Sequence, residues 1–511
     1  MGKKSAQTAR FVLLPVRGLH SEEMRNIGAD RTVFAAAASL RLEARPARLA
    51  SRQPTMRVIH SIGETGPKLV EMGEEEIAAM RVSDPGVRAV PVVIYELARR
   101  PVFSVESKVQ AAAAALAPKL SVRCIDRKTQ MPLQGVNFVA FTNFKQRIGD
   151  GGLSDSNGKV VLELGAASVK LEVLVAYGPP GYWGLGKKAT TLKNGMTFKF
   201  EPVDLAAPDF AATLYAGVSP DAGESVVVGV IDSGVDGTHP DLHVTGGGAF
   251  VTAENDAGGS GPAAKHGDHG THVAGIIAST GLLHPQPPKT APGKRGIAPK
   301  VTLYSYRVFP NSGTGAANYD IIRAIEQGVR DKCDYLNLSL GASSPDQAVE
   351  AAIKDAFDNG TVCIVATGND DRSPVSYPAA WDVSVAVTSA GKKGTYPATS
   401  NEMLDEVGPY ATTDASIFIS AFSNVGPPVD LTGPGEGIVS TLPGGLYGVM
   451  SGTSMACPSV TGVAASLLSA NPTLLGMARN RDRSIAMVGM LNSAATPLGF
   501  NPQLEGVGLL R

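Results

Sequence analysis

Cysteine is scarce in this sequence: the 511 residues include only four. No two of them stand at the short spacing of a Cys-x-x-Cys pair, which argues against a structural zinc site. Four cysteines are also too few to hold a chain of this length together by disulfide bonds. We therefore expect free, buried thiols at Cys124, Cys333, Cys363 and Cys457.

An excess of charge of either sign is also missing. The chain has 46 Lys and Arg residues against 47 Asp and Glu residues, a formal net charge of −1. Nothing global therefore draws it to nucleic acid or to an anionic membrane, and we expect neither as a partner. The longest uncharged stretch, residues 437–478, is interrupted by prolines and glycines, so it does not predict a membrane-spanning helix.

A recognisable secretion signal is absent as well, because the first apolar stretch ends at Arg17 and no small-residue cleavage site follows. This predicts a cytoplasmic protein, with secretion by an unmarked route as the open alternative. Residues 1–55 hold ten basic and four acidic residues with little periodicity. We expect a basic, partly disordered segment there.

Glycine and proline are plentiful, and the length suggests about three domains. Residues 56–100 show a strand, a helix, a turn and a strand, which predicts a small α+β unit. Residues 118–202 contain short alternating runs between turn signals, the pattern of a small antiparallel β-sandwich. Residues 205–511 alternate continuous apolar runs with helical patterns, for example at 318–332 and 345–359. This predicts an α/β domain with a parallel sheet and helices on both faces.

Three polar motifs in the α/β domain follow strands or open helices. Asp232 closes the first strand, His269 stands at the start of a helix, and Ser454 precedes another apolar helix. Taken singly, each has an ordinary explanation as a cap, a core histidine or a loop serine. Parallel sheets carry their ligand sites at the carboxyl ends of the strands. Together the three side chains provide the nucleophile, base and orienting acid that acyl transfer requires.

In the order Asp232, His269, Ser454, these motifs resemble the subtilisin-like serine proteases. The resemblance implies a serine endopeptidase that needs no cofactor and works through an acyl-enzyme intermediate. Ser454 would be the nucleophile, His269 the base and Asp232 the acid that orients it. Asn369, directly after Gly368, would donate to the oxyanion. The residues that would bind an extended polypeptide substrate are Ser339, Leu340, Gly341 and Gly368.

Two further resemblances concern the N-terminal half. Residues 56–98, with an Asp-Pro-Gly turn at 84–86, resemble the subtilisin propeptide, which acts as a chaperone and inhibitor. This implies that the N-terminal unit is a partner of the active site and that the chain cuts itself near residues 97–100. A cut at 200–212, or no cut at all, stays open. Residues 118–202 resemble the carboxypeptidase regulatory-like sandwich, although an immunoglobulin-like module would show the same pattern.

Two other functions and a calcium site are alternatives to the assignment as a serine protease without a metal. A catalytically restrained, peptide-binding or partner-docking subtilase-like protein is disfavoured because none of the expected site residues is lost. An esterase or lipase would need a G-x-S-x-G elbow and the order Ser, Asp, His, and the sequence has neither. We predict no metal ligands. Calcium is left open only because Asp241 lies near a calcium ligand of the secreted bacterial members, and it can equally be a cap or turn acid.

Overall fold

The computed structural model describes residues 8–27, 56–108, 119–281, 293–313 and 315–511. Their strands and helices group into an N-terminal α+β unit, a pair of β-sheets and a large α/β unit. The predictions made for residues 28–55 lie outside these ranges. Among the described residues, no helix is both long and apolar enough to cross a membrane.

The N-terminal unit is a four-stranded sheet with one helix. In chain order it contains β1 Ala9–Pro15, β2 Arg57–Ser61, β3 Lys68–Met72, α1 Glu74–Ser83 and β4 Val87–Pro91. The strand order is β2-β3-β1-β4, with β1 antiparallel to both of its neighbours.

The prediction that residues 1–55 form a separate basic segment is wrong for β1, which lies inside this sheet. Val12 and Leu14 are buried in one hydrophobic cluster, and Leu13 between them is buried in another. Successive side chains of a strand point to opposite faces, so β1 is covered on both sides. The sequence did not reveal this because the partners of β1 come much later in the chain.

After β4 the chain passes through β5 Ile94–Leu97, which leaves this sheet, and enters a pair of β-sheets. Their strands are β6 Ser107–Lys108, β7 Leu120–Asp126, β8 Asn137–Asn143, β9 Ile148–Leu153, β10 Lys159–Leu162, β11 Ser168–Tyr177, β12 Leu185–Lys193 and β13 Thr197–Phe200. One sheet has the order β10-β7-β13 and the other the order β12-β11-β8-β9-β6. Side chains from both sheets, among them Phe138 and Phe200, share one hydrophobic core.

The prediction of a purely antiparallel arrangement is wrong at two places in this pair of sheets. β13 runs parallel to β7, and β6 runs parallel to β9. Alternation in a sequence identifies strands, but it does not give the direction of their partners.

The α/β unit is built on a ten-stranded sheet. The strands of the unit are β14 Val227–Asp232, β15 Val244–Ala249, β16 Thr302–Arg307, β17 Ala316–Ala317, β18 Tyr335–Leu338, β19 Leu340–Gly341, β20 Val362–Ala366, β21 Ser384–Lys392, β22 Ile417–Ile419, β23 Leu431–Pro434, β24 Ile438–Leu442, β25 Leu446–Met450, β26 Ala495–Thr496 and β27 Leu509–Leu510. The main order is β15-β16-β14-β18-β20-β21-β23-β27-β26, and β22 pairs with β21. Neighbours from β15 to β27 are parallel, as predicted, whereas β22 and β26 are antiparallel additions.

Helices of the α/β unit connect these strands and follow them. They are α2 Phe210–Leu214, α3 Gly267–Ala278, α4 Asn318–Arg330, α5 Gln347–Asp358, α6 Thr453–Ser469, α7 Pro472–Leu475, α8 Arg481–Ala494 and α9 Pro502–Glu505. Short 3-10 helices lie at Glu22–Asn26, Thr252–Glu254 and Asn401–Asp405. The helices predicted at 318–332 and 345–359 are confirmed as α4 and α5.

Both faces of the main sheet are covered by helices, as predicted. On β14, Val228 and Val230 belong to a core that includes side chains of α3, α6 and α8. Ile231, which points the other way, belongs to a core with α4 and α5. Val12 and Leu14 of β1 join this second core, so the N-terminal sheet packs on α4 and α5.

The four cysteines are buried and free, which confirms the prediction. Burial raises the pKa of Cys333 and of Cys363 to about 12. A thiol with such a pKa stays protonated near neutral pH and is a poor nucleophile.

A buried ion pair fixes α8 to the amino end of β18. Nη2 of Arg483 lies 2.7 Å from Oδ1 of Asp334, and both side chains are only 1% exposed. Nη1 of Arg483 donates to the carbonyl oxygen of Gly360 at 2.9 Å, and Oδ2 of Asp334 accepts the N–H group of Val227 at 2.8 Å. The pair is therefore joined to the backbone at both ends.

Arg483→Met is expected to lower the free energy of unfolding by about 2 kcal/mol, because it removes one of the two guanidinium groups, those of Arg479 and Arg483, that lie 2.7 Å from Oδ1 of the buried Asp334. Arg481→Met is the matched control: its partner Asp358 is 40% exposed, so the loss should stay below about 1 kcal/mol. Urea denaturation of the two variants beside the unsubstituted chain measures both losses. Equal losses would show that the buried pair contributes no more than a surface pair.

Candidate active site

Asp232 and His269 come from different elements and meet at the carboxyl edge of the main sheet. Asp232 ends β14, His269 lies in the first turn of α3, and both side chains are fully buried. Nδ1 of His269 is 2.8 Å from Oδ1 and 3.0 Å from Oδ2 of Asp232. A carboxylate can only accept, so Nδ1 carries the proton and Nε2 is left as an acceptor.

The motif His269-Gly-Thr-His272 offers two candidate bases, and the structure separates them. Nε2 of His272 lies 3.1 Å from the carbonyl oxygen of Ile438 and 3.3 Å from that of Gly448. Burial, together with the nearby His269, lowers the pKa of His272 to about 3. His272 is thus a neutral donor that links α3 to β24 and β25. Nε2 of His269 is buried and makes no hydrogen bond within the described residues.

Ser454 is the second residue of α6, so it lies within the helix that it was predicted to precede. Its hydroxyl donates to the carbonyl oxygen of Ser339 at 3.1 Å, and no hydrogen bond is recorded between Ser454 and His269. Its N–H group belongs to the first turn of the helix, where amides have no partner within the helix. That N–H group donates instead to the carbonyl oxygen of Ala98, at 3.0 Å.

The chain's own β5 occupies the cleft beside Ser454. It is the middle strand of a three-stranded antiparallel sheet, between β17 and β19. Ala98 continues the pairing, since its N–H group donates to the carbonyl oxygen of Ser339 at 3.1 Å. The predicted substrate-binding residues that pair with residues 96–98 are Ser339, Leu340 and Gly341.

Gly452 lets the backbone of this segment approach α6 closely. A Cβ atom at Gly452 would lie 3.0 Å from the carbonyl oxygen of Ala98 and 3.1 Å from Cα of Arg99. The φ angle of Gly452 is +154°, which also favours glycine. The peptide bond between Ala98 and Arg99 is therefore held directly against the start of α6.

Arg99 connects the same segment to the helix that carries His269. Nη2 of Arg99 is 3.0 Å from Nδ1 of His266, the residue that precedes α3. Burial and the positive charge of Arg99 lower the pKa of His266. The bond between Ala98 and Arg99 thus lies between α3 and α6.

Asn369 presents its amide beside the start of α6. Its Oδ1 accepts the N–H group of Thr453 at 2.8 Å, while its Nδ2 is buried and makes no hydrogen bond within the described ranges. Gly368 precedes it with φ +106°, and a Cβ atom there would lie 2.4 Å from Nδ2 of Asn424. The N–H group of Gly368 donates to Oγ1 of Thr453 at 3.2 Å. Gly368 therefore positions Asn369. No hydrogen bond joins Gly368 to residues 94–100 in the described structure.

A group of acidic residues around Arg100 was not predicted. The side chain of Arg100 is 6% exposed, and its Nη2 lies 2.7 Å from Oδ2 of Asp405. Glu402 and Glu436 are buried nearby and act electrostatically on the same guanidinium. These acids are far from Arg100 in the sequence. The only signal in the chain was the pair Arg99-Arg100 directly after an extended run.

Asp241, the residue for which calcium is left open, takes part in hydrogen bonds. Its carboxylate accepts the hydroxyl of Tyr447, and Oγ1 of Thr280 lies 3.4 Å from it. Within the ranges that the structure describes, no three His, Cys, Asp or Glu side chains form a group that could hold a metal ion. Residues 282–292 lie outside those ranges. The contacts of Asp241 therefore fit a hydrogen-bonding role.

Known proteins of one family match this chain. A profile of the subtilase family matches residues 223–506. Subtilisin NAT from Bacillus subtilis subsp. natto is 34% identical over 338 residues, which cover 63% of this chain and 77% of that protein. A subtilisin from Bacillus pumilus is 36% identical over 281 residues, or 54% of this chain and 86% of that protein. With a family match over more than half of its length, the chain belongs to the subtilase family and is a subtilisin-like serine endopeptidase.

Proposed function

We propose that the chain hydrolyses peptide bonds through Asp232, His269 and Ser454, and that its first substrate is its own bond between Ala98 and Arg99. The observation that carries the proposal is the 3.0 Å hydrogen bond from the N–H group of Ser454 to the carbonyl oxygen of Ala98. A carbonyl held at a helix N-terminus, next to the hydroxyl of the same serine, is close to the geometry that attack requires.

Attack begins with proton transfer. The hydroxyl of Ser454 turns from the carbonyl of Ser339 towards Nε2 of His269, which makes no hydrogen bond to the described residues and accepts the proton. Asp232 keeps the other ring nitrogen protonated and stabilises the imidazolium that forms. Burial of both groups keeps water away from this pair.

Bond formation and bond cleavage follow at Ala98. Oγ of Ser454 bonds to the carbonyl carbon, and the oxyanion that results accepts from the N–H group of Ser454 and from Nδ2 of Asn369. The imidazolium of His269 then gives its proton to the departing nitrogen of Arg99, which leaves Ala98 as an acyl ester. A water molecule, deprotonated by His269, attacks the ester and releases Ala98 as a new C-terminus.

Asn369→Ala is expected to lower kcat by about 10² to 10³, with little change in KM, which is the loss known for removing such a donor from subtilisin. The reason is that its hydrogen bond strengthens only as the oxyanion forms. Asn369→Asp is the matched variant: it keeps the oxygen that Thr453 needs but replaces the donor by an acceptor, so its kcat should fall further. Steady-state kinetics on the processed enzyme measures both. An unchanged kcat in the alanine variant would place the donor elsewhere.

The N-terminal unit, in this proposal, is an intramolecular inhibitor. It packs on α4 and α5 through β1, and it delivers β5 into the cleft. Tyr95 of β5 is fully buried, with its hydroxyl 3.2 Å from Oδ2 of Asp346. The N-terminal sheet therefore holds β5 in the cleft by noncovalent contacts, before any bond to Ser454 forms.

Purified wild-type chain is expected to yield two fragments, 1–98 and 99–511, because this bond is the one held against Ser454. Intact mass and N-terminal sequencing identify the cut, and Ser454→Ala should remain one piece. The pair of sheets formed by residues 107–200 would then stay with the protease. A new terminus at 200–212 would contradict the assignment, and a cut in Ser454→Ala protein would reveal an outside protease. An intact wild-type chain would favour a restrained protease.

The remaining expectations stay predictions of this proposal. The chemistry uses protein groups and water, so we propose that no cofactor is needed. The proposed partners are a polypeptide substrate and the chain's own N-terminal unit, not nucleic acid or a membrane surface. The cytoplasmic location and the likeness of residues 118–202 to a carboxypeptidase regulatory-like sandwich also remain predictions.

A further inference from the structure

Arg100, the second residue after the bond proposed to be cut, is buried in a pocket of acidic groups. Its Nη2 lies 2.7 Å from Oδ2 of Asp405 and donates to the carbonyl oxygen of Asn401 at 3.2 Å. When the amide of Asn401 is oriented to satisfy both of its ends, its oxygen accepts from Nη1 of Arg100 at 2.9 Å, and its nitrogen donates to Glu402. We call the pocket formed by Asn401, Glu402, Asp405 and Glu436 the arginine pocket.

The carboxyl groups of the arginine pocket stabilise the positive charge of Arg100. Burial works against the charge of Arg100, but the carboxyl groups of Asp405, Glu436 and Glu402 outweigh it and raise the pKa of the guanidinium. Burial raises the pKa of Asp405 to about 6 even though Arg100 opposes this shift. Burial and Asp405 also raise the pKa of Glu436. Asp405 and Glu436 are both buried, and buried carboxyl groups either pair with a cation or take up protons.

The backbone around Arg100 is held as a substrate backbone would be. The N–H group of Arg100 donates to the carbonyl oxygen of Ser451 at 3.0 Å, and the hydroxyl of Ser451 lies 3.5 Å from Oε1 of Glu402. Ser451 is close in sequence to Ser454. The arginine pocket is therefore joined directly to the segment that binds the peptide next to the nucleophile.

The pair of β-sheets supports the arginine pocket from behind. The N–H group of Gly186 in β12 donates to the carbonyl oxygen of Thr399, just before the 3-10 helix that carries Asn401 and Asp405. A Cβ atom at Gly186 would lie 2.9 Å from Cα of Asn401, so the two backbones are in close contact. The sheets thus fix the 3-10 helix that provides three of the four pocket residues.

We propose that the arginine pocket is a substrate-binding site that selects an arginine side chain at the second residue after the scissile bond. This inference rests on the proposed function only for the identity of that bond. Arginine suits the pocket better than lysine, because its planar guanidinium can reach the carboxylate of Asp405 and both oxygens of Asn401 at once. Polypeptides with arginine at the second residue after the scissile bond would therefore be cut faster than polypeptides with another residue there.

The chain's own Arg100 would compete with such substrates after the cut. It remains attached to the pair of sheets, where the N–H group of Phe103 donates to the hydroxyl of Tyr177 at 2.8 Å. The guanidinium also lies over the ring of Phe103, 5.7 Å from its centroid. Selectivity should therefore be sharper in Arg100→Met protein, in which the pocket is left open to the substrate.

The test compares peptides that differ only at the second residue after the cut. Each carries Tyr-Glu-Leu-Ala before the scissile bond and alanine after it, followed by Arg, Lys, Met or Glu. In Arg100→Met protein, kcat/KM for the Arg peptide should exceed that for the Met peptide by about tenfold or more, with Lys between them. Asp405→Asn, in the same background, should reduce this ratio to below about threefold. Asp482→Asn, which removes an exposed acid on α8, should preserve it.

A ratio near one in both wild-type and Arg100→Met protein would overturn the proposal while leaving the protease assignment intact. Slower self-cutting by Arg100→Met protein than by Arg99→Met protein would support it. If no peptide is cut and a fluorophosphonate probe does not label the wild-type chain, the proposed function fails. A second measurement then tests whether the arginine pocket recognises an arginine side chain.

That measurement is hydrogen exchange in the uncut Ser454→Ala chain, which needs no catalysis. The N–H groups of residues 98 and 100 are bonded to Ser339 and Ser451, so their exchange reports release of the segment from the cleft. Arg100→Met should speed their exchange by about tenfold or more, and Arg99→Met by less than about threefold. Equal effects of the two substitutions would show that the pocket does not recognise arginine.

Discussion

Ser454→Ala is expected to abolish peptide hydrolysis, with a loss of about 10⁶ in turnover, the magnitude known for removing the nucleophile of subtilisin. The N–H group of Ser454 donates to the carbonyl oxygen of Ala98, and the hydroxyl of the same residue is the group proposed to form the acyl ester. Two measurements check this: the rate at which the chain cuts itself, and labelling by a fluorophosphonate probe. Neither should be detectable in the variant.

The control for this experiment is Ser493→Ala, which removes an exposed hydroxyl from α8. It should cut itself and take up the probe as the wild type does. Near-identical circular dichroism of the two variants would show that Ser454→Ala has kept its fold. A Ser454→Ala chain that still binds the probe would contradict the assignment of the nucleophile.

Asp232→Asn is expected to lower kcat by about 10⁴ while leaving the fold intact, as known for the corresponding change in other serine proteases. Asp232 accepts from Nδ1 of His269 at 2.8 Å, and an amide there can donate to that nitrogen instead. The ring would then carry its proton on Nε2, where it can no longer accept the proton of Ser454. The loss should shrink at high pH, where hydroxide in solution can replace the base. The pH profile of kcat/KM measures this.

Asp241→Asn is the matched control for Asp232→Asn. Asp241 is also a buried carboxylate, only 1% exposed, and it makes no hydrogen bond to His269. Its replacement should change kcat less than about tenfold. Equal losses in the two variants would mean that burial of a neutral amide in this region, and not the tautomer of His269, lowers the activity.

Much of the candidate site could be predicted from the sequence because its residues stand at element boundaries. Asp232 ends a strand, and His269 and Ser454 open helices, so a parallel sheet brings all three to one edge. The resemblance assigns the base to His269, but the sequence gives no physical reason why this histidine, and not His272, faces the acid. That depended on the direction of each side chain around α3, which buries His272 against β24 and β25 instead.

The arginine pocket could not be predicted, because its members come from separate parts of the chain. Asp405 and Glu436 are brought to Arg100 only when β5 docks and the pair of sheets fixes the 3-10 helix. Each acid on its own resembles an ordinary surface residue. The place of β1 in the N-terminal sheet was missed for the same reason, since both of its partners are remote in the sequence.

The parallel α/β architecture, the family and the residues expected to carry the chemistry all follow from features that can be read along the chain. Local periodicity and residues at strand ends encode these features, because each depends on neighbours within a few positions. Two features emerge only when the chain is folded: the bond that lies against Ser454, and the acidic groups that surround Arg100. These depend on register and on long-range packing, and a shift of one residue along β5 would move every side chain to the opposite face.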